Sequence, residues 1–220
     1  MHEKEKINRL EYTAVLTFIL FILFTITVVY QFWQVLDFEI TRNFQSLIPT
    51  KFDLYLSYFS FLGSAEITIG ITLFIDVIYA FKHKFLKSLG WFLILPASAL
   101  EVLGKLIIFH PSPPVYLHKT VLESDLPSFL IQTNFSYPSG HITRTTFLLT
   151  VFFILVLSGN MTTLRKSLSL ILLIFLGAVM ILSRVYLGEH WPSDVIGGIL
   201  LGCAFGFLAS RLIVRKNVIV

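Results

Sequence analysis

The sequence predicts an all-α integral membrane bundle of six transmembrane helices, with an additional interfacial segment after the first helix. Three observations predict it: an apolar composition, six apolar runs of membrane-spanning length, and a one-sided distribution of lysine and arginine. Of 220 residues, 55% are hydrophobic and only 14% are charged, and the mean hydropathy is +0.81. A water-soluble domain does not sustain that balance. A helical membrane chain of this length makes one bundle, so residues 1–220 are expected to form a single domain.

The apolar runs fall at about 12–30, 55–81, 88–109, 142–158, 167–187 and 194–214. Each approaches the ~20 residues that carry a helix across a ~30 Å hydrocarbon layer, where helices are required because no water satisfies the backbone. The first run follows a charged start, as a secretory signal does. It is longer than a signal's apolar core and lacks a small-x-small cleavage site, so it reads as an uncleaved span.

Basic residues settle the expected topology. Lys4, Lys6 and Arg9 precede the first run, Lys82, Lys84 and Lys87 separate the second from the third, Arg165 and Lys166 the fourth from the fifth, and Arg211, Arg215 and Lys216 follow the sixth. The opposite connections carry Arg42, Lys51 and Lys119, apart from the charged residues of the motifs below. The positive-inside rule predicts both termini in the cytoplasm and the other three connections outside. The net charge of +4 is scattered singly over the run ends and forms no basic stripe, which argues against a nucleic-acid partner and for a phospholipid bilayer. The single cysteine, Cys203, lies in an apolar run and leaves no intrachain disulfide. Nothing in the pattern specifies an oligomeric state.

The outer connections differ in character. Residues 31–54 interleave Phe32, Trp33, Phe38, Phe44 and Phe52 with Asp37, Glu39, Arg42 and Lys51. That pattern suits a segment lying along the membrane surface, where it either lines a route for lipid or forms an ordinary aromatic belt. Residues 110–138 hold Pro111, Pro113, Pro114, Pro127 and Pro138, a density that predicts a stiff irregular loop. Its His110 and His118 read first as solvated loop histidines. The third outer connection is short, around 187–193. In the sixth run Gly198, Gly202 and Gly206 recur every four residues, a spacing that admits a close helix neighbour.

Ionisable and polar residues then appear where a bundle does not tolerate them without a purpose. Lys105 stands near the outer end of the third run, Ser139-Gly140-His141 open the fourth, Arg184 stands near the outer end of the fifth, and His190 and Asp194 open the sixth. All map to one side of the membrane. Glu66, Asp76 and Glu101 lie within the second and third runs, either as a proton or ion path or as helix-pairing groups.

Three stretches carry these residues: Lys105-Leu-Ile-Ile-Phe-His-Pro-Ser-Pro113, Tyr137-Pro138-Ser139-Gly140-His141, and Ser183-Arg184-Val-Tyr-Leu-Gly-Glu-His190-Trp-Pro-Ser-Asp194. In order and spacing they resemble the three signature motifs of the type 2 phosphatidic acid phosphatase (PAP2) family, membrane relatives of the vanadium haloperoxidases. The resemblance runs directly over about 105–194. It implies hydrolysis of a phosphomonoester or diphosphate on a membrane lipid, with no metal and no cofactor, through a phosphohistidine. His190 matches the nucleophile, Asp194 the carboxylate that orients it, and His141 the general acid. Lys105, Ser139, Gly140 and Arg184 match the groups that hold the phosphoryl oxygens.

Those residue types make physical sense of the implied chemistry. A neutral imidazole is a nucleophile near neutral pH, and a carboxylate on its other nitrogen fixes the tautomer and stabilises the charge that grows on attack. Phosphoryl transfer needs positioning and stabilisation of equatorial charge, which cations and helix N-terminal amides supply. One position departs from the pattern: the family arginine of the first motif is Ser112 here, and serine cannot copy a bidentate guanidinium. Arg144, one turn after His141, either projects toward the same pocket or snorkels to headgroups or pairs with a carboxylate such as Glu123 or Asp125. The candidate substrates are undecaprenyl or other prenyl diphosphates, phosphatidylglycerol phosphate and phosphatidate. The alternatives are a catalytically weak lipid-phosphate-binding membrane protein, which Ser112 suggests, and a small transporter, which Glu66, Asp76 and Glu101 suggest.

Overall fold

The computed structural model describes residues 2–122, 133 and 135–215. Among them the regular structure is helical, without strands, and six helical segments are long and apolar enough to cross a membrane. The first is α1 (His2–Val29), whose helix extends N-terminally beyond the apolar run because apolarity marks the bilayer crossing and not the helix itself.

The interfacial segment is a helix, α2 (Gln34–Leu47). Its corner with α1 is fixed by the Trp33 indole N–H, which donates to Thr27 Oγ1 at 2.8 Å. Asp37, Thr41 and Gln45, four residues apart, form a buried polar stripe, while Val35, Leu36, Ile40 and Leu47 are exposed. A helix with its apolar side outward and its polar side against the bundle lies naturally at the headgroup layer.

The second span is broken. A 3-10 turn (Thr50–Phe52) leads into α3 (Asp53–Phe61), and α4 (Ala65–Phe81) restarts where the Ser64 hydroxyl accepts from the Ile67 N–H at 3.4 Å. A Cβ on Gly63 at this corner would lie 3.0 Å from both His141 Cδ2 and Met180 Cε, so the corner is what lets the second span reach the motif residues. The third span is also interrupted, between α5 (Phe85–Phe92) and α6 (Ile94–Ile107). Pro96 supplies the reason: it has no N–H for the Phe92 carbonyl, four residues back.

Three unbroken helices complete the bundle: α7 (Gly140–Ser158), α8 (Thr163–Tyr186) and α9 (Pro192–Val214). The glycine stripe of α9 packs on α7. A Cβ on Gly202 would stand 2.4 Å from the Thr143 carbonyl oxygen, and one on Gly206 would stand 2.7 Å from Thr150 Cβ. That approach seats a core of Trp91, Ile94, Phe147, Leu148, Val151, Ala209 and Ile213. The apolar residues of α8, Ile171, Leu172, Ile174 and Phe175, are instead exposed, as a lipid-facing helix requires. The C-terminal ends of α6 and α8 and the N-terminal ends of α7 and α9 meet at one end of the bundle, with α2 laid across α8 and α9 there.

Candidate active site

The third motif folds around a single carboxylate. Pro192 opens α9, which places Asp194 in its first turn and His190 in the connection just before it. Asp194 Oδ2 accepts from the Trp191 backbone N–H at 3.0 Å and lies 3.1 Å from His190 Nδ1. One side chain therefore caps the helix and orients the imidazole. With Nδ1 engaged, Nε2 of His190 is the nitrogen left to act. Burial, together with the cations Arg184, Lys105 and Arg144, pushes the His190 pKa well below its ordinary value, which keeps the ring neutral.

The second motif is tied to the third through the backbone: the Ser139 N–H donates to the Asp194 carbonyl at 3.0 Å. Ser139 is the N-cap of α7 and His141 lies in its first turn. His141 sits within the electrostatic reach of Arg184, Arg144, His190 and Lys105, so residues of all three motifs share one neighbourhood. Gly140 is required by a carboxylate: a Cβ there would lie 2.5 Å from Glu101 Oε1.

Glu101 and Glu189 organise the cations. The buried Glu101 divides its carboxylate between Lys105 Nζ at 2.6 Å and Arg144 Nη1 at 2.9 Å. Arg144 thus turns into the bundle and pairs with a carboxylate of α6; Glu123 and Asp125 lie outside the described residues. Arg184 Nη1 donates to Ser60 Oγ on α3, and its Nη2 pairs with Glu189, the residue before His190. Each arginine retains a buried Nε with no hydrogen-bond partner among the described residues, and the same holds for the Ser139 hydroxyl.

Ser112 stands apart from this group. It lines a cavity of about 330 Å³ under the N-terminal end of α2, with Asp37, His110 and Trp191 among its neighbours. His110 departs from the solvated reading. It is 5% exposed, its Nε2 lies 2.8 Å from Ser193 Oγ, and burial lowers its pKa to about 4. His118 is exposed, as a solvated loop histidine, with its Nε2 3.1 Å from the Pro113 carbonyl oxygen. Of the three intramembrane acids, Asp76 accepts from Ser88 at 2.5 Å across the α4–α5 corner, whereas Glu66 acts on Arg144 alongside Glu101.

Sequence reasoning passed over Asp37, Ser60, Glu189 and Ser193. For Asp37 a signal was present, since Asp37, Thr41 and Gln45 repeat every four residues opposite an apolar face. For Glu189 and Ser193 the signal was only adjacency to the motif histidine and aspartate.

Comparisons with known proteins bear on the family and the fold. A 91-residue stretch is 36% identical to an undecaprenyl-diphosphatase of Sulfolobus acidocaldarius, covering 39% of this chain and only 39% of that relative's length. The crystal structure of a transmembrane PAP2 type phosphatidylglycerolphosphate phosphatase from Bacillus subtilis shares the fold, with a TM-score of 0.72 at 22% identity over 90% of this chain and 94% of that one. The six apolar spans make the chain a multi-pass membrane protein. The PAP2 superfamily model matches residues 85–217, the stretch that carries all three motifs, and the chain belongs to that superfamily.

Proposed function

We propose that the chain is a membrane lipid phosphatase that hydrolyses a lipid phosphomonoester or diphosphate through a phosphohistidine on His190. One observation carries the reading: Ser139 Oγ, Arg144 Nε and Arg184 Nε are buried polar atoms with no hydrogen-bond partner among the described residues, and all belong to residues grouped around the oriented imidazole. Each such atom costs roughly 1–3 kcal/mol in a folded chain, a cost that the oxygens of a bound phosphoryl group would relieve. Arg144 takes the cationic place that Ser112 does not fill, and Lys105 and the amides at the start of α7 complete the anion site.

The reaction runs in two displacements. His190 Nε2 attacks phosphorus, the bond to the lipid-side oxygen breaks, and His141 gives that oxygen a proton. Asp194, holding Nδ1–H, stabilises the positive charge that builds on the ring. Water then attacks the phosphorus, His141 accepts its proton, the phosphorus–nitrogen bond breaks, and inorganic phosphate leaves. No step calls for a metal or a cofactor. The whole of residues 1–220 acts as one domain, with both termini cytoplasmic and the site on the outer face, supported by the lysine and arginine asymmetry.

The names of the relatives support two substrate classes, an undecaprenyl or other prenyl diphosphate and phosphatidylglycerol phosphate, with phosphatidate a third of the same chemistry. The test is phosphate release by purified protein in detergent, with EDTA present, from farnesyl diphosphate, phosphatidylglycerol phosphate and phosphatidate. Release from at least one is expected, with loss in His190→Ala. Activity that survives that substitution, or that EDTA abolishes, overturns the mechanism. Binding without turnover would favour the lipid-phosphate-binding alternative.

A further inference from the structure

The interfacial helix reaches the nucleophile through a chain of buried polar contacts. Asp37 of α2 is 1% exposed; its Oδ1 accepts from the Ser193 backbone N–H at 2.9 Å and its Oδ2 from the Ser193 hydroxyl at 2.6 Å. The single hydroxyl proton of Ser193 is thereby committed to Asp37. It follows that at the 2.8 Å contact between His110 Nε2 and Ser193 Oγ the histidine is the donor. The same Nε2 lies 3.5 Å from Asp194 Oδ1, while Asp194 Oδ2 holds His190. Hydrogen bonds thus run from His110 through Ser193 to Asp37, whose Oδ2 also lies 3.7 Å from His110 Nε2. This group touches the Asp194 carboxylate behind His190 by the 3.5 Å contact.

Asp37 sits where it does because α2 is fastened at both ends of its polar stripe. Two turns along, the Gln45 amide donates to the carbonyls of Leu117, in the proline-rich loop, and Tyr186, at the C-terminal end of α8, each at 2.7 Å. The connection that bears His190 is therefore held between α8, α9 and a helix that belongs to neither the motifs nor the six spans.

Resting on the phosphatase reading, we propose that Asp37 is a positioning residue for the reaction: through Ser193 and His110 it fixes the Asp194 carboxylate and so the aim of His190. Oriented carboxylates behind a reacting imidazole set its tautomer and direction, and loss of such an outer partner costs roughly 10- to 100-fold at metal-bound histidines. Asp37→Asn is nearly isosteric but reverses the hydrogen bond from the Ser193 hydroxyl. The new amide N–H points at Ser193 Oγ, frees the serine proton for His110 Nε2, and pushes His110 out of its donor role. A merely structural role would leave the turnover of this variant as it was.

The experiment measures kcat and KM for the full-length protein in detergent on whichever of the three lipid probes the wild type hydrolyses. Asp37→Asn, Ser193→Ala and the double variant are compared, with thermal unfolding followed in the same detergent. Expected are a kcat about tenfold lower for each single variant at a KM within twofold, unfolding temperatures near that of the wild type, and a double variant no slower than the slower single one. A folded Asp37→Asn with wild-type kcat overturns the assignment, as do losses that multiply in the double variant or that track only the folded fraction. A wild type that hydrolyses none of the probes overturns the phosphatase reading itself, which the variants alone cannot do.

Discussion

Glu189 lies against Arg184, its carboxylate on Nη2, one residue ahead of the imidazole that would attack phosphorus. Ser60 holds the other terminal nitrogen of the same guanidinium, and Thr120 donates to Glu189 from the loop above. A carboxylate at that place repels an incoming phosphoryl dianion while it holds the arginine. Glu189→Gln keeps a hydrogen-bond acceptor and removes the charge, so inorganic phosphate should inhibit at a concentration roughly threefold lower or less, with KM falling in parallel and kcat within a few-fold. Product-inhibition constants for the two proteins check this, and an unchanged phosphate affinity would show that the carboxylate does not oppose the anion.

A second prediction concerns the glycine of the second motif. Glu101 cannot retreat from a Cβ at position 140, because Lys105 and Arg144 hold both of its oxygens, at 2.6 and 2.9 Å. Gly140→Ala should push α6 and α7 apart at the site, lowering kcat by on the order of 100-fold, the scale of a 1 Å misplacement of catalytic groups. Overpacking of this kind also costs about 1–3 kcal/mol of stability. Activity and thermal unfolding in detergent, measured on the same preparation, separate the two effects.

What the sequence made legible divides along physical lines. The six spans were readable because burial in lipid leaves a signal in every residue of a run, and the three motifs were readable because their residue types are rare in apolar helices. The breaks at 62–64 and 93 were not: apolarity continues through both, and only Gly63 and Pro96 mark them. Ser112 could be seen as a departure, but that it faces the cavity beneath α2 depends on how the proline-rich loop folds. His110 reads as a loop histidine until Ser193 and Asp37 are brought to it from 83 residues downstream and from another helix. Glu101 could be placed in a span, but its sharing between Lys105, one turn along, and Arg144, from a different helix, is a property of packing alone.

That sharing yields a third prediction. Glu101 is 2% exposed and neutralises two cations in the interior of the bundle, one of them itself buried. Glu101→Ala takes from Arg144 the carboxylate it is paired with and leaves only the through-space action of Glu66, and breaking a buried ion pair from one side destabilises by about 3–5 kcal/mol. Glu101→Gln should lose less, since its amide oxygen still accepts from one cation. The order wild type, Gln, Ala in unfolding temperature is expected, and restoration by the second substitution Arg144→Met in the Ala background would confirm that the stranded guanidinium is the cause.

The fourth prediction is the pH dependence. A free histidine gains its proton near pH 6.5 and then ceases to be a nucleophile. Burial and the surrounding Arg184, Lys105 and Arg144 hold the His190 pKa well below that value, so the ring stays neutral as the pH falls through 6.5. Phosphorylation of His190 should therefore persist into mildly acidic solution and decline only as the pH approaches the depressed pKa. The same shift acts on stability with the same sign: the unfolded chain takes up the proton first, so folding weakens as pH falls below the unfolded value. Single-turnover phosphoryl transfer from a substrate whose own ionisation does not change between pH 5 and 7 leaves the acid limb to His190, because protonation disables a nucleophile but favours His141 as proton donor. An acid limb centred at 6.5 would mean that the cations around His190 do not reach it.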